Sequence, residues 1–73
     1  MIRPGDRVYT VEWNGVYHAV AHEVESVIIG RKGIRYSLDN GETVYREDYG
    51  RSWFRDGSEA ERTAKLWEEI ICG

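Results

Sequence analysis

His18 and His22 are the first residues whose types and spacing could serve chemistry. On a helix, imidazoles four residues apart share a face and can ligate one metal ion. On a strand the same spacing leaves them on one face but roughly 13 Å apart, too far for a single divalent ion to bridge. The surrounding segment reads as strand, so both are expected to be partly exposed strand histidines. The adjacent acids Glu47-Asp48 and Glu68-Glu69 diverge in strand or helix and form no general acid–base pair. Ser26, Ser37, Ser52 and Ser58 lack a G-x-S-x-G setting. Cys72 is expected to lie beyond stable structure as a free thiol, a poor nucleophile. Gly30-Arg31-Lys32-Gly33 lacks the long P-loop spacing and the Lys-Ser/Thr that follows it, so it reads as a connector between two strands. These residues predict no enzyme, no metal site and no cofactor.

What remains in excess is aromatic and arginine content. The 73 residues include five Tyr, three Trp and one Phe, and eight of the ten basic residues are Arg. Trp53, Phe54 and Trp67 are expected to pack the core, because large rings supply most of the burial in a chain short of aliphatics. A domain this small cannot also hide Tyr9, Trp13, Tyr17, Tyr36, Tyr45 and Tyr49. Tyr, Trp and Arg are the side chains enriched at binding hot spots. The candidate partner surface is therefore Trp13, Tyr17, Arg31, Lys32, Arg35, Tyr45, Arg46, Tyr49 and Arg51. Charge supports that choice: residues 31–55 carry six basic and four acidic groups, whereas residues 1–30 and 56–73 are both net acidic. The spacing places Trp13 and Tyr17 on a hairpin expected to neighbour the basic segment.

These side chains need a scaffold, and glycines punctuate it. Asp6–Trp13 alternates, with Tyr9, Val11 and Trp13 on one face and Val8, Thr10 and Glu12 on the other. Asn14-Gly15 is a strong hairpin signal. A second strand, Val16–Ile29, puts Val16, His18, Val20, His22 and Val24 on one face but then changes phase at Val27. One extra residue near Glu25-Ser26, a β-bulge, restores the pattern and bends the strand. Ile34, Tyr36 and Leu38 alternate on a third strand, Glu42–Glu47 gives a fourth, and a helical turn at Glu47–Gly50 leads to a fifth at Arg51–Phe54. The period then lengthens to 3.6. Ser58-Glu59-Ala60-Glu61 spells a capping box opening a helix over about 58–71, with Ala60, Ala64, Trp67 and Ile71 on its packing stripe. The expected fold is α+β and mainly β: a five-stranded antiparallel, partly open SH3-like barrel with one C-terminal helix, spanning residues 1–73 as a single domain.

Length and composition set the bounds. So short a chain buries only roughly 60% of its unfolded surface, so one thin core is expected. Net charge is −3 and mean hydropathy −0.60, which weighs against non-specific adhesion to nucleic acid or anionic membrane. No apolar run reaches the length of a membrane span, and the opening Met1–Asp6 has no apolar signal-peptide region. A single cysteine allows no internal disulfide. A cytoplasmic location is expected.

The order and spelling of several segments carry a resemblance. They are Pro4-Gly5-Asp6-Arg7-Val8, His22-Glu23-Val24-Glu25-Ser26-Val27, Gly41-Glu42, Tyr45 through Phe54, and Glu59-Ala60-Glu61. Together they resemble a loose group of small, mostly uncharacterised proteins encoded by phages and prophages of Gram-positive bacteria. The match covers most of the chain but consists of structural punctuation. It departs at Arg55-Asp56-Gly57-Ser58, where the group enters its helix through a Thr cap. The resemblance implies a β-barrel and a phage origin. By analogy with small phage accessory proteins, it also implies binding and inhibition of a host or defence protein, including CRISPR effectors.

Three functions are compatible with the residues. The leading expectation is a non-catalytic protein-binding inhibitor, anti-CRISPR-like or otherwise anti-defence, whose partner is a host or defence protein. The second is a nucleic-acid or nucleotide binder using Arg31, Lys32, Arg35, Arg46 and Arg51 with tyrosine stacking. The third is an oligomeric virion component.

Overall fold

In the computed structural model, which describes residues 1–72, the alternating segments form five antiparallel strands. They are β1 (Arg7–Trp13), β2 (Tyr17–Gly30), β3 (Gly33–Leu38), β4 (Thr43–Tyr45) and β5 (Trp53–Phe54), in the spatial order β4-β3-β2-β1-β5. One helix follows, α1 (Gly57–Trp67), and runs into a wider π-helical turn at Glu68–Cys72. The fold is α+β, a curled half-barrel of five antiparallel strands with a C-terminal helix. Among the described residues no helix is long and apolar enough to cross a membrane. The Cys72 side chain is not described, so the expectation of a free, unreactive thiol lies outside the described residues.

β2 organises the sheet because it serves two partners in turn. Its first half, Tyr17–Glu23, pairs with β1, and its second half, from Val24, pairs with β3. The register shifts between Val24 and Ser26, which leaves Glu25 as the extra residue. The phase change in the sequence is thus a bulge, and Val24 and Val27 return to the same face opposite Leu38 and Tyr36. At the bulge the Val24 N–H donates to the Asp6 carbonyl and its own carbonyl accepts from the Gly5 N–H, both at 2.8 Å. The N-terminal segment thereby satisfies the backbone that the bend frees.

The helix covers the outer face of the β1–β2 half, so alternation there sorts residues between a concave core and the helix side, whereas the outer face of β3 and β4 stays open. Val8, Val24 and Leu38 are fully buried on the concave face, with Ile2, Tyr36, Val44 and Trp53 around them. Burying each aliphatic side chain contributes about 1.5–3 kcal/mol. β5 shows the division in two residues: Trp53 enters the concave core, and Phe54, pairing with Tyr9, lies on the helix side with Ala60 and Ala64. The expected burial of Trp53 and Phe54 is met at 2% exposure each. Trp67 is half-buried and stands edge-on to Tyr17, with ring centroids 5.7 Å apart.

Several boundaries differ from expectation for local reasons. The first hairpin loop includes Val16, because the Asn14 N–H donates to the Val16 carbonyl. β4 stops at Tyr45, where a 3-10 turn begins at Arg46. β5 is confined to Trp53–Phe54, because the Arg51 and Ser52 amides both donate to the Asp48 carbonyl and hold a turn. The helix cap is Asp56 and not Ser58: its carboxylate accepts from the Ser58 N–H at 3.0 Å and from the Ser58 hydroxyl at 2.9 Å. Gly57 follows because a Cβ there would sit 3.2 Å from the Tyr9 ring. Ile71, expected on the packing stripe, is 63% exposed, since the wider winding from Glu68 rotates the last turn off the sheet.

Candidate binding surface

The outer face of the second half-sheet gathers the positive charge. Ile28, Arg35 and Tyr45 lie side by side across β2, β3 and β4, on the face opposite the half-buried Val27 and the buried Tyr36 and Val44. Register brings them there: in β3 and β4 the inward residues are the apolar ones, so Arg35 and Tyr45 must point outward. The two-residue loop of the β2–β3 hairpin adds Arg31 and Lys32. Arg31, Lys32, Arg35 and Tyr45 together surround a shallow depression of about 150 Å³, floored by Gly30 and Gly33. Among the described residues none of these three cations is ion-paired; the arginine that is, Arg51, lies 3.2 Å from Asp48. Tyr45 is 43% exposed, and its carbonyl accepts a 2.7 Å hydrogen bond from the Trp53 indole N–H. The ring is therefore offered on a fixed backbone.

The other candidates fall in different places. Arg46 and Tyr49 line the adjoining groove on the concave side, about 300 Å³ in volume, where Tyr49 tilts against Trp53 at 5.0 Å. Arg51 is held by Asp48 on the exposed turn. Trp13 and Tyr17 do not adjoin the basic residues: their hairpin closes one end of β2, and Arg31 and Lys32 close the other. Tyr17 is also engaged in the fold, through Trp67 and through its N–H, which donates to Glu68 at 3.0 Å. Arg31, Lys32, Arg35 and Tyr45 thus form the assembled site, with Arg46 and Tyr49 beside it.

No protein-family model, curated protein or solved structure compared with the chain matches it. Its chemistry rests on its own residues.

His22 is the residue that sequence reasoning undervalued. Expected to be partly exposed, it is buried at 7%, while His18 is half-exposed as expected. The His22 Nε2 faces Glu12 Oε2 at 2.8 Å and its Nδ1 faces Asp39 Oδ1 at 3.1 Å. Glu12 also accepts from the Thr10 hydroxyl, and Asp39 from the Glu23 N–H. The network ties β1, β2 and the turn after β3. The available signal was His22's place on the same face as Val20 and Val24, the face the core must cover. With a carboxylate on each ring nitrogen, both nitrogens donate when the ring is protonated, which leaves no lone pair for a general base. Among the described residues no group of three or more His, Cys, Asp or Glu is arranged to hold a metal ion.

Burial by itself disfavours the His22 cation, but Glu12 and Asp39 outweigh it and raise its pKa above the ordinary 6.5. The bond from His22, then that from Thr10, lowers the Glu12 pKa below 4.5. The Glu23 amide, then His22, lowers that of Asp39 below 3.8. A raised histidine pKa stabilises the fold below 6.5, and that stabilisation is lost as pH rises through the folded value. The depressed acids stabilise it above their ordinary values, and that stabilisation is lost as pH falls through their folded values. The network should therefore be strongest between about pH 4.5 and about pH 6.5. Urea midpoints should decline from about pH 6 to about pH 9, and His22→Gln should flatten that decline. A wild-type midpoint unchanged across that range would remove the ion pairs from the account.

Proposed function

We propose that the chain is a non-catalytic protein-binding module that recognises an acidic segment of a partner protein through Arg31, Lys32, Arg35 and Tyr45. The observation that supports this reading is the cluster itself, three cations with no carboxylate bound to them among the described residues, set around an exposed tyrosine on a rigid sheet. Such an arrangement steers an acidic partner by its field and then anchors it by desolvating the ring. Arginine suits the task because its planar fork grips carboxylates in a bidentate way. The resemblance to small phage-encoded proteins makes a host or defence protein of the cytoplasm the class of partner, and inhibition the consequence of binding.

A nucleic acid is the second reading, since the same cations beside a stacking ring also suit a phosphate backbone. The net charge of −3 and the acidic helix weigh against it. Affinity capture from a host lysate with the wild-type chain and with Arg31→Glu/Arg35→Glu decides the matter. The wild type should enrich a protein that survives nuclease treatment, and the double variant, still folded, should lose it. Equal capture by both would reject this surface. Capture abolished by nuclease would favour the nucleic-acid reading.

A further inference from the structure

The apolar face of β2 and β3 continues past the core that covers it. Val27 pairs with Tyr36 across the two strands, Ile29 pairs with Ile34 nearer the hairpin loop, and alternation puts all four on the concave face. Burial falls along that face from Leu38 and Tyr36, at 0% and 3% exposure, through a half-buried Ile34 to Ile29 at 76%. Val27, Ile29 and Ile34, with Met1 beside them, wall a hollow of about 220 Å³. Tyr36 and Arg46 line both this hollow and the groove of about 300 Å³ that leads to Tyr49 and Arg55. Joined, the two reach the roughly 300–1,000 Å³ of small-ligand sites.

The two ends differ in chemistry. Near the hairpin the walls are hydrocarbon and thioether. Arg46 stands where the hollows meet, and Arg55 lines the far end. Among the described residues neither arginine is ion-paired, and no Asp or Glu lines either hollow. Glu47 lies with Arg46 on a neighbouring groove past Gly33 and Ile34. The Tyr36 hydroxyl forms no hydrogen bond with another described residue. No buried side-chain oxygen among them is left without a partner, so this hydroxyl opens into the space its ring borders.

We infer that this groove binds a single-chain fatty acid, its alkyl chain against Val27, Ile29 and Ile34 and its carboxylate on Arg46 and the Tyr36 hydroxyl. A guanidinium and a phenol both donate to a carboxylate, and apolar walls strengthen such bonds. An alkyl chain suits the apolar end better than a partner peptide, whose amides would lie unpaired against hydrocarbon. The site lies on the face of the sheet opposite Arg35 and Tyr45 and does not rest on the acidic-partner reading.

The test is an NMR titration of the full chain with decanoate below its micelle concentration. Decanoate should shift the Val27, Ile29 and Ile34 methyl signals saturably. Acetate, which lacks the tail, and decyltrimethylammonium, which reverses the charge of the head, should leave them in place. Arg46→Gln, a change at an exposed side chain, should weaken decanoate binding about tenfold. Tyr36→Phe, which keeps the ring, should weaken it by less. Absence of a saturable shift at these methyls overturns the site, as does equal affinity for decanoate and decyltrimethylammonium. Decanoate binding that Arg46→Gln leaves unchanged overturns it too. Shifts produced by a short peptide with a free C-terminal valine, but not by decanoate, overturn the fatty acid in favour of a protein C-terminus.

Discussion

Replacing Trp53 by alanine should cost about 3–5 kcal/mol, a large part of the whole stability of a 73-residue domain. Trp53 is 2% exposed and closes the concave core with Tyr36, whose ring stands 5.5 Å away at 72°. Its loss removes the transfer energy of the largest side chain and leaves a cavity that a sheet bent around it can fill only partly. It also strands the Tyr45 carbonyl, which accepts the indole N–H. Trp53→Phe separates the two effects, because it keeps most of the packing but removes the donor. It should cost less than the alanine variant and still loosen the backbone under Tyr45. Thermal unfolding measures both. An alanine variant that melts with the wild type would refute the assignment of Trp53 to the core.

Tyr45→Ala should be the most damaging single change to binding, about 2 kcal/mol or roughly thirtyfold in affinity, expressed mainly as faster dissociation. The ring is partly exposed and adds little to the core, so the fold should persist with a near-native melting temperature. Its ring stands opposite Arg35 and borders the same depression as Arg31 and Lys32, the position expected of an anchor. Surface binding kinetics with the captured partner would show this. An unchanged dissociation rate would move the anchor elsewhere, with Tyr49 the nearest exposed ring.

Much of the fold was legible because local signals and the final structure agree. The phase slip from Val24 to Val27 can be repaired only by an inserted residue, and Glu25 is that residue. The change of period after Phe54 marks the helix, and its cap lies two residues before the expected Ser58 because Asp56 and Ser58 are both good caps. Ile71 leaves the packing stripe because helical spacing holds only up to the turn that widens at Glu68, whose side chain accepts from the distant Tyr17 amide. The His22 network escaped for the same reason: its partners lie 10 and 17 residues away in sequence and meet only once the sheet is bent. At the candidate surface, composition and charge pointed to Arg31, Lys32, Arg35 and Tyr45. It is register, placing Arg35 opposite Tyr45, that makes them one site. Trp13 and Tyr17 share their composition but stand apart, because the 14 residues of β2 separate the two hairpins.

The most direct test of the binding surface is the association rate of the captured partner as a function of ionic strength, for the wild type and for Arg31→Glu/Arg35→Glu. Exposed charges contribute little to folding, so the variant should melt close to the wild type. Wild-type association should slow steeply as salt is added, and the variant should associate about tenfold more slowly at low salt with a flatter or inverted dependence. Association rates that coincide at every ionic strength would contradict the account and shift attention to the acidic residues at the C-terminal end, Glu61 on α1 with Glu68 and Glu69 in the turn that follows it.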